Sequence, residues 1–133
     1  MQTQGRRQKN LVLILAREFA SKLATPMLVT DDRAKLVYYN EPAEVMLGRP
    51  FAEAGELSAE SWAETFDVSR LDGSPMPLEE MPGGVALLQR REAHAAIRIT
   101  SLDGAEHTIE VTAIPLLDRE DHPVGSVTLF WEH

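Results

Sequence analysis

No cysteine occurs among the 133 residues. That absence removes thiolate nucleophiles, flavin–cysteinyl adducts, thiolate metal ligands and disulfides together, and it fits a reducing compartment. Long apolar runs are missing too. The stretch Leu11 to Ala16, preceded by Arg6, Arg7 and Lys9, has the order of a secretory leader, but Arg17 and Glu18 end it. A secretory core needs about 7–15 apolar residues and a membrane span about 20, so the chain is expected to be cytoplasmic with no membrane span. Basic charge is scarce: 13 Lys and Arg stand against 21 Asp and Glu, a net charge of −8. Such a field repels phosphate backbones and anionic lipid, which argues against nucleic acid as a partner. The basic cluster at Arg6, Arg7 and Lys9 reads as solvated charge near a chain end.

Catalytic patterns are equally sparse. The histidines at 94, 107, 122 and 133 show no metal-ligand spacing, so no metal site is expected. There is no Gly-x-Ser-x-Gly turn and no phosphate-binding glycine loop. The adjacent pairs Asp31-Asp32 and Glu79-Glu80 fall in turn or cap settings, where carboxylates serve helix ends and solvation.

What is present reads as one α+β domain, long enough to bury roughly two-thirds of its unfolded surface. Val12, Leu15, Phe19 and Leu23 recur at helical spacing, widened by Leu11 and Ile14, and predict an amphipathic helix over Gln8 to Ala24 that ends before Thr25-Pro26. Two short strands follow, 27–30 and 35–39, separated by Asp31-Asp32. Asn40 caps a short helix closed by Gly48, and Ser58 caps another that carries Trp62 and Phe66. Signals from Arg49 to Leu57 are weak. A turn-rich stretch from Leu71 to Pro77 leads into a helix containing Val85, Leu87 and Leu88, weakened by Gly83 and Gly84. The domain division expected is a helix over 1–24 and a core over 25–133.

Three strands close the chain: 93–101, 105–116 and 124–131. A two-residue turn at Asp103-Gly104 would set Ile97 opposite Glu110 and mix polar with apolar on both faces. A three-residue loop, Leu102-Asp103-Gly104, with Gly104 in the left-handed position, pairs Ile97 with Ile109 and Ala95 with Val111. The other face then carries Arg98 with Thr108 and Thr100 with Glu106. This register sets His107 opposite Ile99 on the apolar face, either as a polar handle for a ligand or as an edge histidine at the sheet margin. In the last strand Val127, Leu129 and Trp131 share one side, expected to pack on the middle helices. Phe130 is placed on the outer face, which needs a cover: the N-terminal helix either folds back on its own sheet or pairs with a second copy.

The order of helix, two strands, short helices and three antiparallel strands resembles the PAS family, and local sequence agrees. Leu36 to Tyr39, then Asn40 and Ala43, with Gly48 after the helix, resemble that family's strand, Asn, helix, Gly segment. Asp72 to Pro77 with Glu79, Glu80 and Pro82 resembles the stretch before its long helix. Leu102-Asp103-Gly104, Ile114-Pro115-Leu116 and Gly125 resemble its closing sheet. The resemblance spans about Leu23 to Glu132. It implies a five-stranded antiparallel sheet with short helices on one face, and a non-catalytic sensory or protein-interaction module that is often dimeric through its N-terminal helix, here Leu11, Val12, Leu15, Phe19 and Leu23.

The resemblance fixes no ligand, because PAS domains host haem, flavin, small acids, lipids or nothing. Cysteine-linked flavin and coumaroyl chromophores are excluded, and haem keeps only His94 as an axial candidate. The pocket would be lined from Trp62, Met76, Met81, Leu87, Leu88, Ile97, Ile99, Ile109 and Val111, with His107 or Arg98 as polar partner. It would suit a small apolar molecule, or these residues close-pack as plain core. A competing class is a small cone-shaped α+β isomerase using His107. The family's Asp-Ile-Thr segment, which hands signal onward, is replaced by Trp131-Glu132-His133, leaving open a fragment of a larger signalling protein or a domain that works by association.

Overall fold

The computed structural model describes the backbone of residues 2–132 and the side chains of 11–132. Five strands, β1 (Met27–Asp31), β2 (Leu36–Tyr39), β3 (Ala93–Thr100), β4 (Glu106–Leu117) and β5 (Pro123–Glu132), form one antiparallel sheet in the order β2-β1-β5-β4-β3. Helices α2 (Glu41–Leu47), α3 (Phe51–Ala54), α4 (Ala59–Thr65) and α5 (Pro82–Gln89), with a 3-10 turn at Leu78–Glu80, lie between the two halves of the sheet in sequence. Their buried side chains join the cluster built on the sheet's inner face. The first helix, α1 (Gln2–Ser21), packs on the outer face against β1, β2 and β5.

Local chemistry explains the elements. Asn40 caps α2 by accepting from the Ala43 amide, and Gly48 ends that helix at φ 86°. Ser58 caps α4 through the Ser61 amide. The β3–β4 hairpin has the register expected from the three-residue loop: Ile97 faces Ile109, Ala95 faces Val111 and Arg98 faces Thr108. Gly104 sits at φ 90°, where a side chain would be strained. Gly84, which looks like a mere weakness in α5, is required by close approach: a Cβ there would stand 2.1 Å from the Leu78 carbonyl oxygen. The weak stretch after Gly48 holds the single-turn helix α3, whose Phe51 meets Tyr38 and Tyr39 edge-on.

The strand pairing corrects one expectation. Phe130 lies beside Val111 and is 2% exposed within the inner cluster, not on the outer face. Val127, Leu129 and Trp131 are the outward residues, with Val127 and Leu129 packed in the cluster under α1. The physical reason is that β5 is buried on both sides, so an apolar count along the strand does not tell the faces apart. The hydroxyls beside Phe130 tolerate the interior because they are paired: Thr30 Oγ1 and Ser126 Oγ stand 2.6 Å apart.

α1 also divides differently from a simple stripe. Ala16 and Ala20 are buried against the sheet, with Leu13 and Leu23 packed beside them. Val12 is half-buried. Leu11, Leu15 and Phe19 remain 55%, 57% and 61% exposed.

Candidate functional site

Between the inner face of the sheet and the helices lies a cavity of about 70 Å³. Its floor is Ile97, Ile99, Ile109, Val111, Thr128 and Phe130 from the three closing strands, with Leu28, Thr30 and Leu36 from β1 and β2. Trp62 and Phe66 at the end of α4, Val68 after it, and Met81, Pro82 and Gly83 at the start of α5 form the opposite wall. None of the lining side chains is ionisable. The only polar ones are Thr30, Thr128 and the Trp62 indole, and Trp62 Nε1 is buried without a hydrogen-bond partner. A groove lined by Asp32, Arg33, Leu78, Glu79 and Leu87 adjoins it, sharing Ala34, Trp62 and Met81 with the cavity.

Of the residues singled out in sequence, Trp62, Met81, Ile97, Ile99, Ile109 and Val111 meet at this cavity. The others do not. Met76 is half-buried and packs on the edge of the inner cluster. Leu87 lines the adjoining groove, and Leu88 is 70% exposed because it sits on the solvent side of α5. Arg98 is on the opposite face, donating to Glu106 at 2.9 Å and to the Leu71 carbonyl at 3.4 Å. Sequence reasoning missed Phe66, Val68, Thr30 and Phe130. Alternation marks a strand face but does not say which helix residues close it from above.

His107 is held at the sheet margin rather than in the cavity wall. Its Nδ1 lies 2.8 Å from Glu132 Oε1 and its Nε2 3.3 Å from Ser101 Oγ. The order serine, histidine, carboxylate has the outline of a nucleophile relay, yet Ser101 is 4% exposed and its hydroxyl serves Asp103 and the Ala105 carbonyl. That hydroxyl, with the Ala105 amide, holds the Asp103 carboxyl below its ordinary range. The group is a clasp joining the β3–β4 turn to the end of β5.

His94 stands on the outer face, with Nδ1 2.7 Å from Thr112 Oγ1 and Nε2 2.7 Å from Glu110 Oε2, its ring 6.0 Å from that of Trp131. It cannot reach the cavity as an axial ligand. The cavity itself is about half of the roughly 150 Å³ that holds a benzene ring, so neither a haem macrocycle nor a flavin ring fits it. Among the described residues no group of His, Asp and Glu is arranged to hold a metal ion, and no helix is long and apolar enough to cross a membrane.

On the outer side, Phe19, Leu23, Thr25, Leu129 and Trp131 border an open apolar groove where the end of α1 meets β5. Leu15 and Leu11 extend it along the helix, at successive four-residue steps from Phe19.

No protein-family model matches the chain, and no curated protein matches it in sequence. Solved structures do match in shape. The PAS domain of a protein from Colwellia psychrerythraea superposes with a TM-score of 0.65 at 15% identity, over 92% of this chain and 97% of that one. The PAS domain of nitrogen regulation protein NR(II) from Vibrio parahaemolyticus gives 0.64 at 16% identity, over 90% and 98%. A Rhodobacter sphaeroides LOV protein gives 0.66 at 15% identity, over 91% of this chain and 66% of its own. The chain has the PAS fold.

Proposed function

We propose that this chain is a non-catalytic sensory or interaction module of the PAS type, in which residues 25–133 form the core and the helix of residues 1–24 serves as both cap and dimer helix. The observation that carries the reading is the uncovered apolar flank of α1. Leu11, Leu15 and Phe19 are each more than half exposed beside the groove floored by Leu129 and Trp131. Keeping three large apolar side chains in water costs roughly 25 cal/mol for each Å² that a partner would cover.

A second copy of the chain is the occupant this surface fits. Residues at four-residue steps on one helix flank meet the same residues of a symmetry mate across a two-fold axis, so one patch completes itself. The nearby charges Glu18 and Lys22 already pair with each other at 3.5 Å, so association leaves no lone charge to desolvate there. The lack of cysteine and the fold's neighbours, among them the PAS domain of a nitrogen regulation protein and a LOV protein, support a signalling role in a reducing, cytoplasmic setting, with a downstream signalling protein as the further partner.

The test is the molar mass in solution of a variant carrying Leu15→Glu and Phe19→Glu. It should run as a monomer at concentrations where the unaltered chain is a dimer. Val45→Glu, at a position 81% exposed on α2, should leave the dimer intact. A double variant that dimerises like the parent sinks the proposal.

A further inference from the structure

We infer that the open groove bordered by Phe19, Leu23, Thr25, Leu129 and Trp131 receives the basic N-terminal half of α1 from a second copy, so that the two helices run antiparallel. This occupancy rests on the self-association proposed above and adds to it the orientation of the two copies.

Charge is divided unevenly along the chain. The first 17 residues hold Arg6, Arg7, Lys9 and Arg17 and no acid, whereas residues 18–133 hold all 21 acidic residues and the other nine bases, a balance of +4 against −12. The N-terminus of a helix adds roughly half a positive charge to the same end. The contacts described for α1 on the sheet run from Leu13 through Ala16 and Ala20 to Leu23. Gln2 to Asn10, about 13 Å of helix, precede them. Arg6, Arg7 and Lys9 have side chains outside the described range and enter here by charge and by position on the helix alone.

The exposed flank sets the pairing. Leu11 and Phe19 stand four residues either side of Leu15. A two-fold axis through Leu15, perpendicular to the helix, pairs Leu15 with its own copy and Leu11 with Phe19 of the other chain. The same axis carries residues 4–10 over residues 20–26 of that chain, where the groove lies. A parallel pair would instead set Arg6, Arg7 and Lys9 beside their own copies, with no acid among the first 17 residues to offset them. Acids do stand around the groove. Glu18 lies on the helix with Lys22 as its partner, Glu41 follows the Asn40 that bonds the Ala20 and Thr25 carbonyls, and Glu110 sits opposite Trp131 across the strands. Apolar walls also suit long basic side chains, whose aliphatic stems cover hydrocarbon while their heads reach carboxylates. The face of Trp131, 42% exposed, suits a guanidinium.

The lack of cysteine allows a test with no background thiol. Positions 8 and 22 stand seven residues either side of Leu15, nearly two turns, and so share its flank without belonging to the apolar seam. Gln8→Cys and Lys22→Cys are made separately in the full chain, one of them ¹⁵N-labelled, and treated with oxidised glutathione alone and as a mixture. Antiparallel pairing predicts a light–heavy disulfide in the mixture, read by intact mass, and little cross-linking of either variant alone. Homodisulfides from each variant alone mean parallel helices and overturn the inference, as do equal yields in all three samples, the mark of random collision. No disulfide in any sample, with the molar mass still that of a dimer, means that the groove is open to another occupant and overturns it as well. A monomeric parent chain is a different failure, that of self-association, and shows in the molar mass before any cysteine is introduced. In a second arm, changing Arg6, Arg7 and Lys9 together to Gln should raise the dissociation constant of the dimer several-fold at low salt. The rise should shrink at about 1 M salt, where the screening length is about 3 Å. A constant that falls or does not change contradicts the charge pairing.

Discussion

Asn40 is a residue on which three elements meet. It is fully buried, its Oδ1 accepts from the Ala43 amide at 3.2 Å and the Met27 amide at 3.0 Å, and its Nδ2 donates to the Ala20 and Thr25 carbonyls, each at 2.9 Å. One amide thus caps α2, starts β1 and fastens the end of α1 to the core. Asn40→Ala leaves two amides and two carbonyls without that partner and should lower stability by about 3 kcal/mol, read by urea unfolding. Asn40→Asp separates the roles. Aspartate is as good an N-cap, but its carboxylate cannot donate to the two carbonyls and repels them, so it too should destabilise by more than about 1 kcal/mol. An Asp variant as stable as the parent would mean that Asn40 acts only as a helix cap.

β5 is the element that decides the two faces. Phe130 is 2% exposed over the cavity, whereas its neighbour Trp131 is 42% exposed on the outer side. Phe130→Ala should therefore cost about 3–5 kcal/mol of folding stability, while Trp131→Ala should cost less than about 1 kcal/mol and instead weaken self-association. Equal losses from the two in thermal unfolding would contradict the assignment of faces. The same strand shows where sequence stops being informative. The β3–β4 hairpin was legible because one turn, Leu102-Asp103-Gly104, fixes its register and one face is apolar. In β5 Val127, Leu129 and Trp131 look like the core face, and Ser126 and Thr128 make the other look wet. A paired hydroxyl, a bulge between Leu116 and Leu117 and a helix on the far side reverse that reading. The cavity was half legible for a related reason. Ile97, Ile99, Ile109 and Val111 follow from strand alternation, but Phe66 and Val68 reach it only because α4 and the chain after it fold over the sheet. The orphaned Trp62 nitrogen has no sequence signal at all, since a tryptophan reads the same whether or not its N–H is paired.

At the scale of the whole molecule, one sheet separates two surfaces of different build. The inner face encloses the cavity, and the outer face carries α1 and the uncovered flank. The His107 clasp ties the hairpin turn to Glu132 at the end of β5, so the two sides share the strand on which Phe130 and Trp131 alternate. This chain contains two tryptophans, and the fold puts one on each side: Trp62 at the cavity wall and Trp131 in the outer groove. Their indole N–H signals therefore report the two surfaces independently in a single spectrum. The most direct measurement is a dilution series of that spectrum from millimolar to low micromolar chain. The Trp131 signal should move with concentration as copies separate, with the Trp62 signal fixed. A Trp131 signal that does not respond to dilution, or a Trp62 signal that moves with it, would contradict the two-faced account.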